Sequence, residues 1–191
     1  MIGKCILGLF LLMTFQLLAQ KDSTFTNLRV AVNAGAGVKI LILKRQKLTE
    51  IPAVIFSFKN MTELDLRGNK ITQIPSEISS LGQLTRLDVG RNKIDTIAPE
   101  IGDLANLEYL NLEKNGFQVL PNTIGKLGKL NYLNVDYTNV KEVPLEIKKC
   151  KNLRFFNGRH SYIEVDTAKK IKECLPADCI TLFPVTCNCN S

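Results

Sequence analysis

The chain has 191 residues, of which 45% are hydrophobic and 23% are charged, a size and composition that predict one globular domain with a sizeable core. Its formal net charge is +7 at pH 7, but Lys and Arg are scattered among Asp and Glu along the chain. This distribution, together with the lack of any nucleic-acid-binding motif, argues against a nucleic acid partner.

Residues 1–20 have the pattern of a secretory signal peptide. Lys4 supplies a positive charge, an almost wholly apolar run follows from Cys5 to Leu18, and Ala19 is a small residue suited to cleavage. The apolar run is short for a membrane span, which needs about 20 residues. We therefore expect a mature protein that begins near Gln20, is secreted, periplasmic or otherwise extracytoplasmic, and has no membrane span.

Residues 21–37 are predicted to form a helical N-terminal cap. Thr26 is expected to cap the helix, and Phe25 is expected to pack on Val30 as a hydrophobic staple. Gly35 permits the left-handed turn that ends a helix.

Residues 38–163 repeat one apolar pattern every 23 residues, in six passes. Position n denotes the residue n places after the first residue of a pass. The six passes begin at Val38, Met61, Leu84, Leu107, Leu130 and Leu153. Apolar and polar residues alternate up to position five, which predicts a half-buried strand too short to be stable alone. Because every pass has the same return path, the strands must stack in parallel.

The return path of each pass is predicted to be a short helical turn. Proline follows an apolar residue in most passes, as at Pro75 and Pro121, and turns the chain away from the sheet. Apolar residues three apart, such as Ile78 and Leu81, then face inward.

Position eight is polar although the apolar positions on either side of it, five and ten, are predicted to be buried. Short amides can bond the backbone of a tight bend that has no strand partner, so three successive residues are predicted to form a structural ladder between coils. They are Asn69, Asn92 and Asn115.

Residues 164–191 are predicted to form a C-terminal cap and tail that contain cysteines. Asp166 is expected to cap a helix that runs to Leu175, and a last strand is expected from Cys179 to Phe183. In an exported chain, four clustered cysteines favour disulfides, with three connectivities open. The four are Cys174, Cys179, Cys187 and Cys189. A zinc site with four thiolates is the alternative, although the spacings are not the usual paired CxxC.

Residues 38–163 resemble the leucine-rich-repeat family, in the 23-residue class written LxxLxLxxNxLxxLPxxIxxLxx. This class includes repeats of scaffolds such as Erbin and Scribble and of small secreted bacterial proteins. The resemblance covers about two thirds of the chain. It implies an α/β solenoid of about six coils, with a parallel sheet on the concave face and short helical or 3-10 turns on the convex face. It also implies a binding module, usually for protein, without conserved catalytic residues or a cofactor.

Positions two, four, six and seven are predicted to point to the open face of the sheet. The later passes combine aromatic rings, amides and an arginine there, a composition enriched at binding hot spots. The predicted ligand-binding residues are Arg86, Tyr109, Tyr132, Asn134, Asp136, Tyr137, Phe155, Asn157 and Arg159. The alternative is that the aligned rings only pack on one another and that the Asp and Asn residues only solvate the face.

Catalysis, a metal and a cofactor are not expected. His160 is the only histidine, Ser161 belongs to the ladder position and Cys150 to the core, so no nucleophile is paired with a base. We expect a non-catalytic, monomeric and bacterial module that binds a protein or peptide. A glycan is the alternative ligand, because sugars stack on Tyr and bond to Asn and Asp. A structural protein that self-associates is the competing hypothesis.

Overall fold

The computed structural model describes residues 23–184. The predicted signal peptide, Cys187 and Cys189 lie outside this range. Within it, no helix has the length and apolar character needed to cross a bilayer.

Eight short parallel strands form one continuous sheet. The strands are β1 (Thr24–Phe25), β2 (Ile40–Ile42), β3 (Glu63–Asp65), β5 (Arg86–Asp88), β7 (Tyr109–Asn111), β8 (Tyr132–Asn134), β9 (Phe155–Asn157) and β10 (Ile180–Leu182), in that order across the sheet. Six of them, β2 to β9, are the strands of the six predicted passes, and each pairs with the next at a 23-residue register. The predicted solenoid is confirmed.

The strand residues that point away from the open face form one core. At position three the side chain is fully buried in all six coils, at Leu41, Leu64, Leu87, Leu110, Leu133 and Phe156. Complete burial of one such side chain contributes about 1.5 to 3 kcal/mol. Because each of these residues packs on its equivalents in the neighbouring coils, the core is continuous along the stack.

The opposite side of each coil is formed by 3-10 turns. They span Ala53–Ser57, Ser76–Ser80, Pro99–Asp103, Asn122–Lys126 and Leu145–Lys149. A second small parallel sheet pairs β4 (Gln73–Ile74) with β6 (Thr96–Ile97) next to these turns. The short helical return predicted from the proline pattern is therefore a 3-10 turn.

The position-eight asparagines bond the backbone of two coils at once. For Asn92, the backbone N–H of Ile71 donates to Oδ1 at 3.1 Å, and Nδ2 donates to the carbonyls of Leu66 at 3.1 Å and Val89 at 2.9 Å. Equivalent bonds are made by Asn69 and Asn115. These amides occupy the bend where the strand ladder has ended, so they satisfy backbone groups that have no strand partner.

The N-terminal cap differs from the prediction in two details. Helix α1 (Leu28–Ala34) is capped by Asn27 rather than Thr26, because Asn27 Oδ1 accepts from the N–H of Arg29 at 2.9 Å. Val30 is exposed, so the predicted staple with Phe25 is wrong. Phe25 instead belongs to β1, opposite Leu41.

At the other end, helix α2 (Val165–Cys174) packs beside the last 3-10 turn. Its N-cap residue is Glu164, and Asp166 lies in the first turn, so the predicted capping role of Asp166 is wrong. In the first turn its charge instead lies near the positive end of the helix dipole. β10 then extends the sheet beyond β9.

We expect Asn92→Ala to lower the free energy of unfolding by roughly 1 to 3 kcal/mol, because it leaves the Leu66 and Val89 carbonyls and the Ile71 N–H without this partner. Chemical denaturation of the wild type and the variant measures the loss. An unchanged midpoint would show that the ladder contributes nothing to stability.

We expect Gly102→Ala to be destabilising by about 1 to 3 kcal/mol, because consecutive 3-10 turns pack backbone on backbone there. A Cβ on Gly102 would lie 2.6 Å from the Cβ of Thr123 and closer still to the Thr123 carbonyl oxygen. Gly128→Ala is the matched control, since a Cβ there meets nothing within 4 Å. Equal melting temperatures for the two variants would contradict the packing argument.

Candidate functional site

Three aromatic rings stack face to face along position two of the sheet. Tyr109 and Tyr132 have ring centroids 4.4 Å apart with planes inclined by 8°, and Tyr132 and Phe155 are 5.0 Å apart at 10°. These residues are directly opposite one another in the strand register. The spacing of parallel strands, about 4.8 Å, is close to the stacking distance of aromatic rings, so the register itself produces this aromatic column.

Both ends of the aromatic column are covered. The Arg86 guanidinium carbon lies 3.5 Å from the centre of the Tyr109 ring, and Arg86 Nε pairs with Glu63 at 3.3 Å. At the other end, the strand register places Ile180 next to Phe155. The faces of Tyr109 and Tyr132 are therefore occupied, and their solvent contact comes from ring edges and hydroxyl groups.

Burial and the neighbouring Tyr109 raise the pKa of Tyr132 to about 12. The hydroxyl therefore stays protonated at physiological pH. It can donate and accept a hydrogen bond at the centre of the aromatic column.

The side chains at position four mainly stabilise the fold. Their Oδ1 atoms accept from the backbone N–H two residues later, at 3.0 to 3.2 Å, and so close each strand end; these residues are Asp65, Asp88, Asn111, Asn134 and Asn157. Asn134 is buried, and Asn157 is half-buried. Burial raises the pKa of Asp88, partly offset by hydrogen bonds from the Gly90 N–H and the Asn111 amide.

A polar network centred on Glu113, at position six, spans coils two to five. Arg67 Nη2 lies 2.8 Å from Glu113 Oε1, Arg91 Nε lies 3.3 Å from the same oxygen, and Asn134 Nδ2 donates to Oε2 at 3.3 Å. Gly90, between Arg67 and Glu113 in this column, has no side chain to block the contact; a Cβ there would lie 3.0 Å from Glu113 Cγ. The sequence reasoning missed this network, and the glycine within a column of long charged residues was the available signal.

A second stack lies at position seven. The rings of Tyr137 and His160 are 4.1 Å apart at 15°, and Lys114 Nζ lies 5.0 Å from the Tyr137 ring centre. His160 Nδ1 lies 2.8 Å from Asp136 Oδ1, and because a carboxylate only accepts, Nδ1 carries the proton. Burial raises the pKa of Asp136, but the hydrogen bonds from His160 and Tyr137 outweigh it and lower the pKa below its usual value.

The predicted ligand-binding residues thus divide into three groups. Arg86 joins the aromatic column, Asp136 and Tyr137 join the second stack, and Arg159 is exposed beside them. The side chains of Asn134 and Asn157 accept backbone hydrogen bonds that close the ends of their strands. The structure adds several concave residues that sequence reasoning left out of the site: Glu63, Arg67, Glu113, His160 and Ile180.

The described cysteines form no disulfide with one another. Cys150 is buried and donates to the Ile124 carbonyl at 3.3 Å, and burial raises its pKa to about 11. Cys174 and Cys179 are both partly buried. Within residues 23–184, no group of three or more His, Cys, Asp or Glu side chains is arranged to hold a metal ion. Disulfides that include Cys187 or Cys189 fall outside the described residues and stay a prediction.

The leucine-rich-repeat family model matches residues 36–94 and 82–140. No curated protein sequence matches the chain.

Among solved structures, a leucine-rich-repeat protein of Leptospira interrogans has 26% identity and a TM-score of 0.67, over 84% of this chain and 47% of its own. The plant peptide hormone receptor RGFR1, in complex with RGF2, has 27% identity and a TM-score of 0.62, over 75% of this chain and 24% of its own. The functional domain of InlJ from Listeria monocytogenes, which includes a cysteine ladder, shares the fold at 22% identity and a TM-score of 0.64, over 84% of this chain and 36% of its own. The chain therefore spans less than half the length of these structures.

We expect His160→Ala to raise the pKa of Asp136, because it removes the imidazole hydrogen bond that lowers this pKa. A depressed carboxyl pKa stabilises the fold above the ordinary pKa, and this stabilisation is lost as the pH falls through the depressed value. The stability difference between wild type and variant should therefore shrink at acid pH. Carbon-13 NMR titration of the Asp136 carboxyl measures the shift, with the exposed-site variant Tyr162→Ala as control. An unshifted titration in His160→Ala would contradict this assignment.

Proposed function

The chain belongs to the leucine-rich-repeat family, and we propose that it is a non-catalytic, extracytoplasmic module that binds an extended segment of a partner protein across its concave face. The aromatic column carries this proposal. It places three half-buried rings side by side on coils four to six of the concave face, where a partner can bury further apolar area.

The dimensions of the face suit a peptide. Six coils spaced by about 4.8 Å give a face roughly 24 Å wide, which an extended segment of about seven residues would cross. The rows of position-two and position-seven side chains run parallel to this direction, so one segment can contact several coils.

The stacking geometry favours a peptide over a glycan. A sugar ring binds an aromatic residue by lying on its open face, but the faces of Tyr109 and Tyr132 are covered by Arg86, by each other and by Phe155. The edges and hydroxyls that remain suit apolar side chains and backbone hydrogen bonds. The plant receptor with a similar fold, described as a peptide hormone receptor, supports this choice of ligand class.

The side chains near His160 support a non-catalytic role. Ser161 Oγ donates to the Gly158 carbonyl at 2.6 Å, and Cys150 is buried with a raised pKa, so neither is an activated nucleophile. Asp136 orients His160, and one face of that ring is covered by the Tyr137 ring. The extracytoplasmic assignment rests on the apolar run that precedes Ala19.

Self-association is the competing proposal, and one observation favours it. β10 is one of the two edge strands of the described sheet, and Ile180 on it is 60% exposed. An open strand edge beside an exposed apolar residue can pair with a second copy. Light scattering of the protein distinguishes the two: a monomer supports peptide binding, and a stable oligomer that buries Tyr132 and Phe155 supports self-association.

We expect the double variant Tyr132→Ala with Phe155→Ala to lose peptide binding by at least tenfold while staying folded, because it removes ring edges that the partner would contact. The measurement is selection from a phage-displayed random dodecapeptide library on immobilised protein, with enriched peptides titrated against each variant. Tyr162→Ala, which removes an aromatic ring exposed elsewhere on the last coil, is the matched control. Enrichment that survives the double variant would place the binding site elsewhere.

A further inference from the structure

We propose that the first two coils form a subsite for acidic side chains, so that the concave face binds a segment with an acidic residue about six or seven positions from an apolar one. This inference rests on the proposed function and adds the chemistry and spacing of the partner. The residues that support it lie on the concave face, at the end next to the N-terminal cap.

An open depression of about 440 Å³ on the first two coils is lined by three cationic side chains. They are Lys44, Arg45 and Arg67, at positions six and seven. We call this the basic depression. Its volume is large enough for one or two carboxylate side chains of a bound segment.

The charges around the basic depression are layered. The carboxylates lie beneath: the Asp65 side chain is 5% exposed and the Glu113 side chain 18%. The cations lie above them, with Lys44 at 51% exposure and Arg67 at 38%. A partner approaching the face therefore meets positive charge first, although the region also contains acidic residues.

Two of the three cations are held in place by the carboxylates beneath them. Lys44 Nζ lies 2.9 Å from Asp65 Oδ2, and Arg67 Nη2 lies 2.8 Å from Glu113 Oε1. Among residues 23–184, Arg45 has no carboxylate within salt-bridge distance. Since the two anchored cations lose little further freedom on binding and Arg45 gains its first charge partner, a carboxylate is favoured here.

The Arg45 side chain lies over a neighbouring glycine. Position seven has a left-handed backbone in coils one to five, including Arg45 with φ of 54° and Gly68 with φ of 76°, so this conformation belongs to the repeat. A Cβ on Gly68 would lie 3.0 Å from Arg45 Cγ. The missing side chain at Gly68 thus leaves room for the arginine side chain to lie across it.

The spacing to the aromatic column follows from the coil repeat. The basic depression spans coils one and two, and the aromatic column spans coils four to six. At about 4.8 Å per coil, their centres are roughly 17 Å apart along the stack. Positions six and seven also lie four to five residues beyond position two along the strand direction, about 15 Å, so the straight-line separation is roughly 22 Å, which an extended chain covers in six to seven residues. One segment can therefore place an acidic side chain in the depression and an apolar one on the column.

The test uses fluorescein-labelled synthetic peptides with two glutamates, a four-residue Gly/Ser spacer and a Phe-Leu pair. Companion peptides replace the glutamates by glutamines or lysines, or shorten the spacer to one residue. Fluorescence anisotropy at low and high NaCl gives the affinities. We expect the acidic peptide with the long spacer to bind at least tenfold more tightly than each companion, and to weaken as salt rises.

Arg45→Asn tests the subsite itself, because asparagine tolerates the left-handed conformation and only the charged side chain is lost. Lys47→Asn is the matched control: Lys47 also has a left-handed backbone, with φ of 61°, and is exposed, but it does not line the depression. We expect Arg45→Asn to weaken the acidic peptide about tenfold, and Lys47→Asn to change it by less than about twofold. Equal losses in the two variants would mean that only overall charge matters, which overturns the subsite.

The outcomes also separate this inference from the proposed function. If acidic and neutral peptides bind equally and the Tyr132→Ala, Phe155→Ala variant loses both, the acidic subsite is wrong and the binding module stands. If no designed peptide binds, the subsite is overturned, whereas enrichment of apolar peptides from the displayed library would still support the proposed function. If neither experiment yields binding, both proposals fall.

Discussion

The structure depends on one constraint: a single coil cannot bury its apolar side chains or pair the backbone of its strand. Each coil must therefore stack on a neighbour in a 23-residue register. The strands of the six coils are three residues long, too short to persist alone, and their hydrogen-bond partners all lie in adjacent coils. Where the strands end, Asn92 and its equivalents continue the pairing with side-chain amides. The core and the backbone bonds therefore enforce the same alignment.

That alignment also determines the surface. The register that places Leu110 beside Leu133 in the core places Tyr109 beside Tyr132 on the open face. Surface residues at equal positions are thus neighbours whether or not they attract one another, and their chemistry decides the result. Aromatic residues stack, while opposite charges pair, as Arg86 does with Glu63. A column of side chains at one position is therefore the basic structural unit of this face.

The sequence was sufficient for the parallel sheet, the apolar core positions and the membership of each column, but it placed position four on the open face, where Asn111 and Asn134 are in fact buried. The sequence was insufficient where differences of a few ångströms in the backbone path or in side-chain position decide which residues make contact. Thr26 and Asn27 can both cap a helix, and only the backbone path selects Asn27. The two-residue strand β1 has no pattern to detect. Gly90 lies between Arg67 and Glu113 in one column, but only the coordinates show that the two long side chains meet across it.

The stacked rings make the aromatic column a coupled site rather than a set of independent contacts. Tyr132 covers one face each of Tyr109 and Phe155, so removing its ring alone would uncover two aromatic faces while removing one edge. A single substitution in the column therefore removes a ring edge and exposes ring faces. The changes in binding free energy from two such substitutions are expected to be non-additive. Because the rings are already ordered before a partner arrives, most of the ordering cost of binding falls on the partner segment, which favours a short or pre-extended one.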